Sequence, residues 1–478
     1  MVYDIGIIGA GVIGCFLARD LAKYRLKVAV FEKNNDVGNE ASGANSAIIH
    51  SGYDPLPHTN KAKYNVLGNQ MYDQICKDLD VPFQRIGSLT LAVQPSDIET
   101  LQMLHQRAKE NHVETQLLSQ EKVLKLEPNL SKQVLGGLYA PSAGIIDPFN
   151  LCVHLMENAI DHHVQLFLNT PIQEIEKKED RFVLNQKYQV KILINCAGVH
   201  ADEINHLLGI DSVSIIPRKG EYLVLDHFQS DWIRHTLFLV PSNQGKGVLI
   251  SPTTSQNYLI GPSASVCLKE DKDTDKPTLL EIKKTASKMV ADIPFSQTIR
   301  TFAGVRPTPK NHDFIIEETT VSNFIQVVGI ESPGLTAAPA ISKMVIESIL
   351  SKKIPLYLKK TYRPTIKKYL KIQELSFAKR NQWIKKNPNY GEIVCKCEKI
   401  TKGEILDCLS RSCPPHSIKG LKKRLRVGFG KCQGGMCQPQ ALKLLAEKKH
   451  CQPNQIPYDS LKSWILDDPL GGKENENR

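Results

Sequence analysis

The sequence predicts an α/β protein in three parts: a Rossmann-type nucleotide-binding domain, a mostly antiparallel α+β domain, and a small helical four-cysteine domain at the C-terminus. Three observations carry this. A glycine loop near the N-terminus lies between an apolar strand and an amphipathic helix, short strands read at 220–225 and 248–250, and four cysteines cluster after residue 390. A chain of 478 residues is too long for one ordinary core, so two or three domains are expected.

Ile5 to Ile8 is a short apolar run, Ile13, Leu17, Ala18, Leu21 and Ala22 recur at helical spacing, and Val28-Ala29-Val30-Phe31 is a second strand. The turn between the first two is Gly9-Ala10-Gly11-Val12-Ile13-Gly14. In that context Gly9 permits the tight turn, Gly11 lets the backbone approach a pyrophosphate, and Gly14 lets the helix lie close on the sheet. The pyrophosphate would face unpaired N–H groups at the helix N-terminus. Glu32, eighteen residues after Gly14, is placed to accept hydrogen bonds from ribose hydroxyls. The loop predicts a dinucleotide and leaves FAD and NAD both open.

Gly38 to Ser46, continuing through Ala47-Ile48-Ile49-His50-Ser51-Gly52, is rich in small residues, as a backbone passing close to an extended cofactor would be. Lys191 to Gly198 is an apolar strand entering a small-residue turn, and Val327 to Thr336 reads as a strand followed by a helix. With the loop, and in this order, these segments resemble the FAD-dependent D-amino-acid oxidase/glycerol-3-phosphate dehydrogenase superfamily over roughly residues 3–360. The resemblance implies FAD held by Gly9, Gly11, Gly14, Glu32, Ser42, Ser46, Ala197, Gly198, Gly334, Leu335 and Thr336. It lays a helix N-terminus against the isoalloxazine, where it stabilises the negative charge of the reduced flavin. The implied layout is a discontinuous Rossmann-type FAD-binding domain, 1–78, 146–204 and 301–351, with a substrate domain at 79–145 and 205–300.

Dehydrogenating a secondary alcohol needs a hydride acceptor, which flavin N5 supplies, and a base that works near neutral pH, for which histidine is the natural choice. His50 ends the small-residue run, and Ile48 to Asp54 is similar to the segment carrying the catalytic base in glycerol-3-phosphate oxidases. Arg306, in Gly304-Val305-Arg306-Pro307, corresponds to the arginine with which this superfamily holds an anionic substrate group. Its planar fork suits phosphate or carboxylate; the alternative is a structural ion pair with Asp313 or Glu317. Ser332 matches a substrate-contacting serine and would otherwise be a helix N-cap. Lys219 is a candidate second cation. The resemblance implies oxidation of sn-glycerol 3-phosphate to dihydroxyacetone phosphate, while L-2-hydroxyglutarate or another 2-hydroxy acid would use the same arginine and histidine.

Twelve cysteines in a chain expected to be cytoplasmic are not expected to form disulfides, so clustering matters. One residue separates Cys395 from Cys397, four separate Cys432 from Cys437, and 34 lie between the pairs. Structural zinc sites favour two to four residues within a cysteine pair, a range outside which Cys395 and Cys397 fall, whereas a pair spaced by four is familiar from two-iron ferredoxins. A [2Fe-2S] site is expected, the alternative being a zinc docking module on an oxygen-using oxidase. Val394 to Glu398 and Gly428 to Cys437 resemble the small helical domain of bacterioferritin-associated ferredoxin, which is also appended to anaerobic glycerol-3-phosphate dehydrogenase subunits. The resemblance implies a cluster domain at 391–450 that takes flavin electrons singly and passes them to a partner flavoprotein or electron-carrier subunit. Lys419, Lys422, Lys423, Arg424, Arg426 and Lys431 are expected to offset the cluster's charge or dock that partner.

The net charge of +11 is local: residues 352–450 carry 25 Lys and Arg against 6 Asp and Glu, which leaves the rest of the chain net negative. This marks a C-terminal module with its own electrostatic role, read as binding an acidic partner. Without interleaved aromatics the basic run argues against nucleic acid. Residues 352–390 read as a basic covering segment and linker, 451–478 as a tail, with Asp467 to Arg478 disordered. Met1-Val2-Tyr3-Asp4 runs straight into a strand pattern with no leader, which predicts a cytoplasmic protein. No apolar run reaches the ~18 to 20 residues of a membrane span, so membrane contact is expected to be peripheral at most.

Overall fold

A computed structural model describes residues 1–229, 231–241 and 247–466, and the expected disorder of Asp467 to Arg478 lies outside them. The chain forms two units, 1–33 with 37–366, and 34–36 with 367 onward.

The first unit is built on two large sheets. In the eight-stranded sheet, Val2–Ile8 lies between Val28–Phe31 and Tyr188–Asn195, parallel to both, with Ile5 opposite Val28 and Ile192. Gln165–Phe167 extends the parallel run on one side and Phe324–Val328 pairs Tyr188–Asn195 in parallel. Strands of this kind are apolar throughout because helices and loops cover both faces, and Val28–Phe31 and Phe324–Val328 are buried at every position. On one face sit Tyr3, Phe31, Phe182, Leu193 and Phe324. On the other the helix Val12–Leu21 packs against Pro148–Asp161 and Gly334–Met344.

The nine-stranded sheet is antiparallel except where Thr236–Leu239 runs parallel to Ser88–Ala92. Its core includes Leu89, Leu91, Leu223, Leu225, Trp232, Ile250 and Met289. The two strands expected here form as Ile215–Leu225 and Leu249–Pro252. Thr298–Pro309 pairs with Ile215–Leu225 along its whole length, so this sheet runs past residue 300, where the sequence pattern put its end. That pairing sets Arg306 opposite Arg218.

Residues 352–366 cover the first unit, Leu358 bridging to Tyr24 and the Arg363 and Thr365 carbonyls accepting from Asn158 Nδ2. The rest of the basic segment, from Lys367, belongs to the second unit. There the helices Lys402–Leu409, Ile418–Leu425 and Gln438–Lys449 enclose Ile405, Leu409, Leu421, Leu442 and Leu445. Thr401 and Glu404 close a capping box on the first of them and Ser417 caps the second. Among the described residues no helix is long and apolar enough to cross a membrane.

Candidate active site and cluster site

The turn from Val2–Ile8 into Val12–Leu21 is shaped by two glycines. Gly9 has φ +97°, and a Cβ there would stand 2.6 Å from the Cys196 carbonyl oxygen. A Cβ on Gly14 would fall on the Gly9 carbonyl, so the helix lies against the turn at a distance only glycine allows. Glu32 Oε2 accepts from Ala10 N at 2.8 Å and Ser42 Oγ from Val12 N at 2.8 Å, which fixes the loop from two sides. Gly9, Gly11, Glu32, Ser42, Ala197 and Gly198 line one groove of about 450 Å³. Gly14 shapes the turn beneath it.

This groove runs into a second cavity, the two sharing Val12, Ala41, Ser42, Pro307 and Ile330. Ser46, His50, Arg306, Ser332, Gly334 and Leu335 line the second cavity, so residues spread over almost 290 positions meet there. His50 follows the strand Ile48–Ile49, and its ring stands 6.0 Å from that of Phe238, centroid to centroid. Its N–H donates to Thr336 Oγ1 at 2.9 Å, while Asn69 Nδ2 (2.9 Å) and Asn65 Nδ2 (3.2 Å) donate to its carbonyl. Arg306 donates to the Ser263 carbonyl at 3.1 Å. Gly220 on the neighbouring strand leaves room for the guanidinium, which a Cβ there would strike. The Asp313 and Glu317 alternatives do not apply: Asp313 accepts from the N–H groups of Asn60 and Lys61, and Glu317 from Gln326. Among the described residues Arg306 makes no ion pair, leaving its charge for a ligand.

Thr336, which the resemblance assigns to FAD, is fully buried, and its Oγ1 accepts from the His50 N–H. For Ser332 the helix-cap alternative does not apply, since Pro333 holds the N-cap position and no side chain caps Gly334–Met344. One expectation needs correction. Lys219 does not face the cavity: it pairs with Asp271 at 2.9 Å and Glu221 at 3.7 Å. Side chains alternate along a strand, so Lys219 and Glu221 share one face while Gly220 and Tyr222 take the other. Tyr222 is a wall residue that sequence reasoning missed; it bonds Ser46 Oγ at 2.9 Å and stacks on Phe302.

In the second unit, Cys397 and Cys432 sulfurs lie 3.7 Å apart and Cys437 donates to Cys395. That bond, with N–H groups of Gly428 and Glu398, holds the Cys395 thiol down at about 6. The N–H groups of Met436 and Gly434 likewise favour the Cys432 thiolate. Backbone donors aimed at sulfur are what an anionic thiolate-bound cluster requires. Four thiols in two close pairs are the number of protein ligands that a [2Fe-2S] cluster takes. Lys422, Lys423 and Arg424 are buried, which corrects their expected docking role; Arg424 donates to the Cys413 and Gly420 carbonyls. Lys396, Lys399 and Lys431 are the exposed cations beside the cysteines.

A parallel sheet with a glycine-turn groove, an adjoining cavity holding a histidine and an unpaired arginine, and a four-thiol module define a flavin-dependent oxidoreductase with an iron–sulfur domain. Comparison with known proteins bears on both parts. Residues 4–348 match the DAO model, described as FAD dependent oxidoreductase, and residues 393–447 the BFD-like [2Fe-2S] binding domain. The chain belongs to the FAD dependent oxidoreductase family and carries FAD and a [2Fe-2S] cluster. It is 42% identical to a glycerol 3-phosphate dehydrogenase of Caloramator mitchellensis over 98% of both chains. The structure of dithionite-reduced L-alpha-glycerophosphate oxidase from Mycoplasma pneumoniae with FAD bound superposes with a TM-score of 0.73 at 33% identity, over 77% of this chain and 98% of that one. A mitochondrial L-2-hydroxyglutarate dehydrogenase of Caenorhabditis elegans is 29% identical over 56% of this chain and 65% of its own.

Proposed function

We propose that the enzyme oxidises sn-glycerol 3-phosphate to dihydroxyacetone phosphate. Arg306 holds the phosphate, Ser332 contacts the substrate, and His50 takes the C2 hydroxyl proton as the C2 hydride leaves. FAD, when bound, accepts that hydride at N5, and the [2Fe-2S] cluster carries electrons onward one at a time to a partner subunit or carrier. The observation that carries the reading is that His50, Ser332 and an unpaired Arg306 line one cavity, which opens into the dinucleotide groove. The polypeptide supplies orientation and proton transfer: the N–H and the carbonyl of His50 are both clamped, and the guanidinium is seated beside Gly220. Similarity along the whole length to a glycerol 3-phosphate dehydrogenase supports the substrate.

A 2-hydroxy acid is the second reading. It is supported by similarity to L-2-hydroxyglutarate dehydrogenases and by the fork of Arg306, which suits a carboxylate as well as a phosphate. Steady-state assays with a dye acceptor separate them. Turnover on sn-glycerol 3-phosphate at an efficiency at least tenfold above that on L-2-hydroxyglutarate is expected; the reverse preference overturns the first reading.

A further inference from the structure

His50 stands in the wall of two cavities. One is the cavity described above. The other adjoins it, sharing His50, Phe238 and Gly247, and is lined further by Ser51, Tyr53, Asn65 and Thr90, with the half-buried Asp54 and Pro55 also in its wall. It is small: the space in which the centre of a water can sit is about 20 Å³, enough for about one molecule.

Its lining is polar in a particular way. Ser51 Oγ and Asn65 Oδ1 are buried and have no hydrogen-bond partner among the described residues. Buried polar atoms left unpaired cost about 1–3 kcal/mol each, so two of them on residues that line one water-sized space mark a place where water belongs. The Tyr53 hydroxyl is already bonded to Thr90 Oγ1 at 2.6 Å, and burial pushes its phenol well above the ordinary value, so it stays protonated.

We propose that this cavity holds a water, anchored by Ser51 Oγ and Asn65 Oδ1, which relays the proton from His50 to solvent while substrate or product fills the adjoining cavity. The inference rests on the reading of His50 as the base. The alcohol carbon gives its hydride to the flavin and the oxygen gives its proton to the imidazole, forming the carbonyl. The imidazolium then passes that proton to the water, which releases one of its own to bulk, and neutral imidazole is restored. Ser51 and Asn65 are positioning residues in this scheme, since neither touches the substrate.

The test uses the FAD-loaded enzyme mixed anaerobically with sn-glycerol 3-phosphate in weak buffer containing a pH-indicator dye, so that flavin bleaching and proton release are followed together. In the unmodified enzyme the two run in step. Ser51→Ala is expected to bleach at the normal rate but release its proton about tenfold later, the lag vanishing when a small buffer such as imidazole is added. Ser51→Thr, which keeps the hydroxyl, restores the unmodified behaviour. Proton release in step with bleaching in Ser51→Ala, or bleaching slowed to the same degree as release, overturns the relay. His50→Ala separates the two hypotheses: normal bleaching in that variant removes the base assignment itself, whatever Ser51→Ala does.

Discussion

The backbone N–H of His50 donates to Thr336 Oγ1 at 2.9 Å, tying the histidine on the cavity wall to the first turn of Gly334–Met344. Thr336 is fully buried and reaches the Ile48 carbonyl as well. The helix Asn60–Asn69, which brings the two asparagines to the His50 carbonyl, approaches so closely that a Cβ on Gly68 would fall on the Thr336 carbonyl. Two helices, one of them almost 290 residues away, thus hold the backbone of His50 on both sides.

Thr336→Val keeps the volume and removes the acceptor, leaving a buried N–H unpaired at a cost of about 1–3 kcal/mol. The expected result is a kcat lowered about tenfold with a smaller change in KM and full FAD content. Steady-state kinetics with an absorbance measurement of bound flavin checks it.

Arg306→Ala should raise KM for sn-glycerol 3-phosphate about 10²- to 10³-fold, the usual loss when one partner of a close charge pair is removed. Arg306→Lys should recover little, because an ammonium lacks the planar fork. Neither variant should change flavin content, and a KM within threefold of the original would remove Arg306 from substrate binding.

Gly14→Ala sets a methyl group on the Gly9 carbonyl. The turn must open, and the variant is expected to be isolated with most of its FAD lost and a lower Tm, whereas Gly209→Ala, strained by its φ of +71° but with nothing within 4 Å of the added methyl, lowers Tm and leaves FAD content intact.

Serine at Cys395, Cys397, Cys432 or Cys437 should abolish the EPR signal of the reduced cluster. Bleaching of the flavin by substrate should persist in all four, since the first unit forms that site from its own residues. Loss of bleaching along with the cluster would show the flavin site to depend on it.

Lys423 offers a pH test. Burial lowers its ammonium from the ordinary 10.5 to about 8. Below pH 8 it is charged in both folded and unfolded states, and folding carries a constant penalty of about 3 kcal/mol. Between pH 8 and 10.5 the unfolded chain binds more protons, so the penalty is relieved as pH rises. Lys423→Met should therefore raise Tm at pH 7 and flatten the pH dependence above 8, which thermal melts at stepped pH will reveal.

Legibility followed sequence distance. The Gly9 to Gly14 turn and Glu32 sit within one strand-helix-strand unit, where period and spacing are visible in a short window; Gly9, Gly11 and Glu32 meet at one groove, and Gly14 shapes the turn beneath it. The cysteine spacing is local in the same sense. Tyr222, Phe238, Asn69 and Gly220 were missed because the pairing of Ile215–Leu225 with Thr298–Pro309 and the packing of Asn60–Asn69 on Gly334–Met344 are long-range. Lys219 was within reach of the sequence, as two-residue alternation along its strand already turns it away from Gly220 and Tyr222. The burial of Lys422, Lys423 and Arg424 was not, for charge composition does not say which side of a two-turn helix is covered.

The most direct test is anaerobic addition of sn-glycerol 3-phosphate to enzyme loaded with both FAD and cluster, with absorbance and EPR recorded on the same samples. Flavin absorbance should fall and the signal of a reduced [2Fe-2S] cluster should rise with it, in His50→Ala far more slowly than in the unmodified enzyme. An oxidised flavin after prolonged incubation with glycerol 3-phosphate, in enzyme that L-2-hydroxyglutarate bleaches at once, would contradict the account.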